Sequence, residues 1–207
     1  MVELPRSRRV VGLDLAGVPH RNTGCCILTC HRETRVSVLH SDEEILQTTL
    51  TARPDVVLID APLSLPRGRA TIEDRSGPHF RECDLELRRL GIRFFPLTLG
   101  PMRILMVRGM RLAADLRSRG FRVEEGYPGG AQDLLGIRRK QNGIWALQRA
   151  LRGLGMTGDL TSRRLSHDEL DAVTLAWVAR RFLEGKARII GDPAEGTMVL
   201  PATPRRG

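Results

Sequence analysis

Two short apolar runs each carry a single carboxylate where a strand would reach its end. Arg9 to Ala16 reads R-V-V-G-L-D-L-A, and Asp55 to Asp60 reads D-V-V-L-I-D. Both have strand length, and the unbroken apolar core of the second suits a strand covered on both faces. A carboxylate in a central strand is costly unless it is paired or bound to a metal, so Asp14 and Asp60 require an explanation. Acids at the carboxyl ends of adjacent strands in an α/β sheet lie where ligands bind. Each aspartate alone is equally well read as the cap of a loop.

The remaining elements follow in an order that narrows the fold. Thr23–Cys30 and Thr34–His40 are strand-like runs at short separation from the first, which predicts an antiparallel meander of three strands. Ser41-Asp42-Glu43-Glu44 opens a helix to about Ala52 with a capping box. After the fourth strand, Asp55–Asp60, the chain from Ala61 to about His79 is punctuated by Pro and Gly. Helices are predicted over Phe80–Leu90 and Met102–Arg119, so residues 61–119 form a helical insertion. Phe121–Glu125 reads as a fifth strand, Asn142–Leu154 as a helix, and Ser166 to about Glu184 as the last helix. Ala187–Ile190 and Thr197–Leu200 form a C-terminal β-hairpin within about 186–201. The expectation is an α/β fold in which a mixed five-stranded sheet is flanked by helices, with 207 residues in one domain.

Three further acids fall near the strand ends. Glu125 ends the fifth strand, just before G-Y-P-G-G. Ser166 and Glu169 form a second capping box, which puts Asp168 and Asp171 at the start of the last helix; spacing places both on a stripe with Leu175, Val178 and Phe182 that should face the sheet. The helix dipole alone also favours an acid at Asp168. Convergent carboxylates with little His or Cys around them suit a hard cation, Mg2+ or Mn2+. Such ions promote phosphodiester hydrolysis by activating water and stabilising the leaving oxygen.

The four cysteines, 25, 26, 30 and 83, include no C-x-x-C pair and read as free thiols; a zinc site from Cys26, Cys30, His31 and His20 matches no common spacing. No apolar stretch reaches the ~20 residues of a membrane span and no signal core is present, so a cytoplasmic protein with no membrane partner is expected.

The formal net charge of +9 favours an anionic partner, nucleic acid in particular. The charge is unevenly distributed. Residues 61–119 hold 12 basic and 6 acidic side chains and residues 136–165 hold 7 and 1, while the acid-bearing segments are near neutral. Arg81 and Arg88, and the basic triplet Arg138-Arg139-Lys140, are candidate phosphate contacts, each with a solvated surface as the competing reading. Aromatic content of 4% argues against a stacking platform for single strands, which needs several exposed rings.

Together V-G-L-D-L-A-G at 11–17, V-L-I-D-A-P-L-S at 57–64, R-x-C-D-x-x-L-R at 81–88, V-x-E-x-Y-P-G-G at 123–130 and H-D-E-L-D-A-V at 167–173 resemble the domain of unknown function family 429. The resemblance spans about residues 9 to 201. It implies an RNase H-like fold and nuclease activity, with Asp14 as the first-strand aspartate, Asp60 as the fourth-strand acid, Asp168 and Asp171 as the acid pair of the final helix, and Glu125 as the glutamate of the E-x-Y-P pattern. The acid that RNase H carries on its first helix has no counterpart, because Glu43 and Glu44 belong to a helix start. Asp14, Asp60 and Asp171 are thus the expected metal ligands of a nuclease, with Glu125 and Asp168 as auxiliary catalytic acids. The competing classes are a non-catalytic metal- or nucleic-acid-binding regulatory protein, and a nucleotide-handling actin-like or kinase-type fold. The latter is disfavoured because Asp14-Leu15-Ala16-Gly17-Val18 lacks the Gly and hydroxyl of an Asp-x-Gly-x-Thr phosphate loop.

Overall fold

The computed structural model describes residues 8–74, 76–137, 139 and 143–202. Strands β1 (Val10–Asp14), β2 (Thr23–Leu28) and β3 (Glu33–Leu39) form the expected antiparallel meander. Helix α1 (Asp42–Ala52) follows, with the Ser41–Glu44 capping box formed in both directions. Strand β4 (Val56–Ile59) then pairs parallel with β1, and β5 (Val123–Gly126) pairs parallel with β4. The central order β3-β2-β1-β4-β5 is the RNase H-like sheet.

Between β4 and β5 lie α2 (Glu82–Arg89) and α3 (Gly100–Ser118), the helical insertion. After β5 come α4 (Pro128–Leu134), α5 (Ile144–Arg152), the two-residue strand β6 (Thr157–Gly158), the short α6 (Asp159–Ser162) and α7 (His167–Leu183). The hairpin β7 (Ala187–Asp192) and β8 (Gly196–Pro201) closes the chain. Three features were not legible in the pattern. Within G-Y-P-G-G, Gly126 ends β5, Tyr127 caps α4 and Pro128 begins it. β6 extends the sheet beyond β3, and β8 pairs parallel with β5, so the sheet has eight strands in the order β6-β3-β2-β1-β4-β5-β8-β7.

Alternation along β1 and β4 separates two cores. Val10 and Leu58 face α7, whereas Val11, Leu13, Val57 and Ile59 face the side covered by Ile45 of α1 and Leu112 and Leu116 of α3. Cys25 and Cys26 are buried in the sheet as free thiols, and burial pushes Cys25 up to about 12. Among the described residues no helix is long and apolar enough to cross a membrane.

The tip of the β7–β8 hairpin fastens the insertion. The Glu195 carboxylate accepts from the backbone N–H of Arg67 at 2.6 Å and of Glu82 at 2.7 Å, and Arg67 also pairs with Asp192.

Candidate active site

Asp14 ends β1 and Asp60 directly follows β4. The two strands are parallel neighbours with Leu13 opposite Ile59, and the Asp60 N–H donates to the Leu13 carbonyl at 2.8 Å. By alternation both aspartates lie on the α7 face, at the carboxyl ends of central strands where ligands gather.

Helix α7 reaches that edge because two strand residues have no side chain. A Cβ on Gly12 would stand 2.3 Å from the Ala172 carbonyl oxygen, and one on Gly24, the register partner of Asp14, would stand 2.0 Å from that of Asp168. The helix therefore lies backbone to backbone on β1 and β2. Asp168 lies over β2 and Ala172 over β1, while Leu175 spans from Gly12 of β1 to Gly126 of β5. Asp171 is buried and accepts from Gln132 Nε2 at 2.8 Å.

The five candidate acids consequently line two openings. Asp60, Glu125 and Asp171 line a cavity of about 260 Å³. Asp14 and Asp168 line a shallower depression of about 520 Å³ with His20, Arg21 and Asn22. Asp168 and Asp171, expected on one stripe, line different openings.

Glu125 points to the face opposite α7 and meets Arg81. Nη1 donates to Glu125 Oε2 at 2.6 Å and Nη2 to Oε1 at 2.7 Å; the remaining donors reach both oxygens of Asp84 and Ser64 Oγ. All five guanidinium donors are engaged, with 1% of Arg81 exposed. Burial pulls the Arg81 pKa down, but the Glu125 and Asp84 carboxylates outweigh it and hold the cation well above its ordinary value. Glu125 Oε2 also accepts from the Leu63 backbone N–H at 2.8 Å, fixing the turn that follows Asp60.

With this geometry in place, comparison with known proteins is informative. The family model described as Protein of unknown function (DUF429) matches residues 12–195. The chain belongs to this family. No curated protein matches it. Among solved structures it is similar to the "Thermus thermophilus RuvC structure", with a TM-score of 0.47 and 13% identity over 86% of this chain and 96% of that one.

In this DUF429 chain the basic residues fall into distinct groups. Arg69, Arg81 and Arg108 are buried and serve the fold. Arg108 donates to Asp42, to the Ala16 carbonyl and to the His40 carbonyl, which pins the loop after Asp14 to α1. Part of the insertion's positive charge is thus internal. Arg88 is exposed and stacks its guanidinium 4.4 Å from the Phe80 ring centroid. Arg139 lines the cavity, pairs with Asp133 and lies against Tyr127; its hydrogen bond to Asp133, opposed by burial, keeps its pKa raised. Arg138 and Lys140 lie outside the described residues.

The donors suit a hard cation in kind, since Asp14, Asp60 and Asp171 offer carboxylate oxygens. Among the described residues, however, no three His, Cys, Asp or Glu side chains stand together so as to hold a metal ion. Sequence reasoning missed Gln132 as the partner of Asp171 and Arg108 as a staple; neither has a local signal, because each acts across the fold.

Proposed function

We propose that the chain is a cytoplasmic, metal-dependent nuclease that hydrolyses phosphodiester bonds of DNA or RNA. The observation that carries this reading is the placement of Asp14 and Asp60 on one face, at the carboxyl ends of adjacent parallel strands, with the acids of α7 drawn to the same edge by Gly12 and Gly24. Asp14, Asp60 and Asp171 would hold Mg2+ or Mn2+, which when bound supplies an activated water and a stabilised leaving oxygen. Gln132 orients the Asp171 carboxylate. Glu125, through Leu63 and Arg81, holds the turn behind Asp60, and Asp168 assists beside Asp14. The exposed arginines of the insertion and of residues 136–165 attract the polyanion.

The test is cleavage of plasmid, single-stranded DNA and structured RNA with Mg2+ or Mn2+ against a chelator control. Asp14→Asn and Asp60→Asn should each lower the rate by about 100-fold or more, since even groups that only orient metal ligands are worth roughly 10–100-fold. Full activity in either variant would remove the assignment. A second reading, a non-catalytic protein that holds one cation, is favoured by the division of the acids between two openings. It predicts metal binding without cleavage on every substrate.

A further inference from the structure

The cavity lined by Asp60 and Asp171 mixes apolar and polar side chains. Phe94, Phe95 and Leu97, between α2 and α3, and Met102 and Leu105 of α3 supply apolar lining, while Asp60, Asp171, Gln132 and Arg139 supply polar lining. Phe94 is held edge-on to Phe80 at 5.9 Å. Phe95 differs from it: 69% of the residue is exposed, and among the described residues its ring has neither an aromatic nor a guanidinium partner. An exposed ring at the mouth of an acid-lined cavity marks a recognition surface.

We propose that this cavity is a subsite for one unstacked nucleobase of a single-stranded or locally opened nucleic acid, with Phe95 as the stacking face. The proposal rests on the nuclease reading above and names its substrate class. A volume of about 260 Å³ admits a planar heterocycle and excludes a duplex. A heterocycle offers an apolar face to Phe95 and hydrogen-bonding edges to the polar part of the lining. An aliphatic side chain in the same place would dehydrate those polar groups without replacing their hydrogen bonds. Aromatic content argued against a platform of several rings; one ring suffices for one base, and its placement is invisible to composition.

The experiment uses the full chain in chelator, where cleavage cannot interfere, and a single-stranded oligonucleotide carrying one 2-aminopurine. Binding should quench the fluorophore. Phe95→Ala should weaken binding roughly 5- to 100-fold, as expected for loss of one base–ring stack, and Phe95→Trp should retain it. Because Phe95 is exposed, neither change threatens the fold. Unaltered binding by Phe95→Ala, equal affinity for the matching duplex, or binding of free 2-aminopurine nucleotide but not of the oligonucleotide would each overturn the proposal. Quenching that depends on Phe95 without cleavage in Mg2+ or Mn2+ would leave the subsite standing and remove the nuclease. Cleavage that is indifferent to Phe95 would do the reverse.

Discussion

Arg81 and Glu125, 44 positions apart in the chain, form a bidentate ion pair with contacts of 2.6 and 2.7 Å and with 1% and 3% of their side chains exposed. The pair joins the start of α2 to the end of β5 behind Asp60. Arg81→Met leaves Glu125 and Asp84 charged and buried without their cation, and should destabilise the protein by about 3–5 kcal/mol. Urea unfolding measures this. Arg81→Lys should recover little, because an ammonium cannot reproduce five donors in a fork. A loss below about 1 kcal/mol for Arg81→Met would show that the pair does not hold this region together.

Gly12 and Gly24 set the depth at which α7 lies. A methyl group at either position meets backbone atoms, which cannot rotate aside, so Gly12→Ala and Gly24→Ala should each cost about 1–3 kcal/mol or more and lift the helix from the strand ends. Denaturation together with the nuclease assay reads both effects. A variant of full stability and full activity would contradict the close approach.

Acid should destabilise the fold through Asp42 and Glu169. Burial alone would raise both pKa values, but Arg108 and Arg111 beside Asp42, and Arg163 beside Glu169, hold them below the ordinary carboxylate range. A carboxyl group with a lowered folded pKa stabilises the native state above its unfolded pKa, and that contribution is lost as pH falls through the folded value. Stability should therefore decline as pH falls through and below the ordinary carboxylate range of roughly pH 4, and Asp42→Asn should flatten part of the decline. A parallel pH curve for Asp42→Asn would remove Asp42 from the account.

Cation binding should appear as stabilisation. At ~100 times its dissociation constant a single Mg2+ or Mn2+ adds about 2.7 kcal/mol, and Asp60→Asn should abolish the gain. Thermal unfolding with and without metal measures it. An unchanged gain in Asp60→Asn would place the cation elsewhere.

The sequence patterns carried the sheet and its helices further than they carried the site. Capping boxes at Ser41 and Ser166 are local hydrogen-bond devices spelled out within four residues, so α1 and α7 were legible. The placement of Asp14 and Asp60 at strand ends was legible for the same reason. Arg81 in R-x-C-D gave no sign that it would turn inward, because its partner Glu125 is remote in sequence. The spacing of Asp168 and Asp171 allowed one stripe, but residues three apart lie about 60° apart around a helix, and the two acids line different openings.

The hairpin clamp gives the molecule a temporal order. Glu195 fastens the insertion at Arg67, 128 residues earlier in the chain, so the bond cannot form until residue 195 has been synthesised and has left the ribosome. The meander β1–β3 and helix α1 use only neighbouring chain and can organise early. The segment between β4 and β5 waits for the last strands. Fastening of the insertion thus follows synthesis of the β7–β8 hairpin, and a nascent chain stalled before Glu195 would carry its aspartates without this fixed surround.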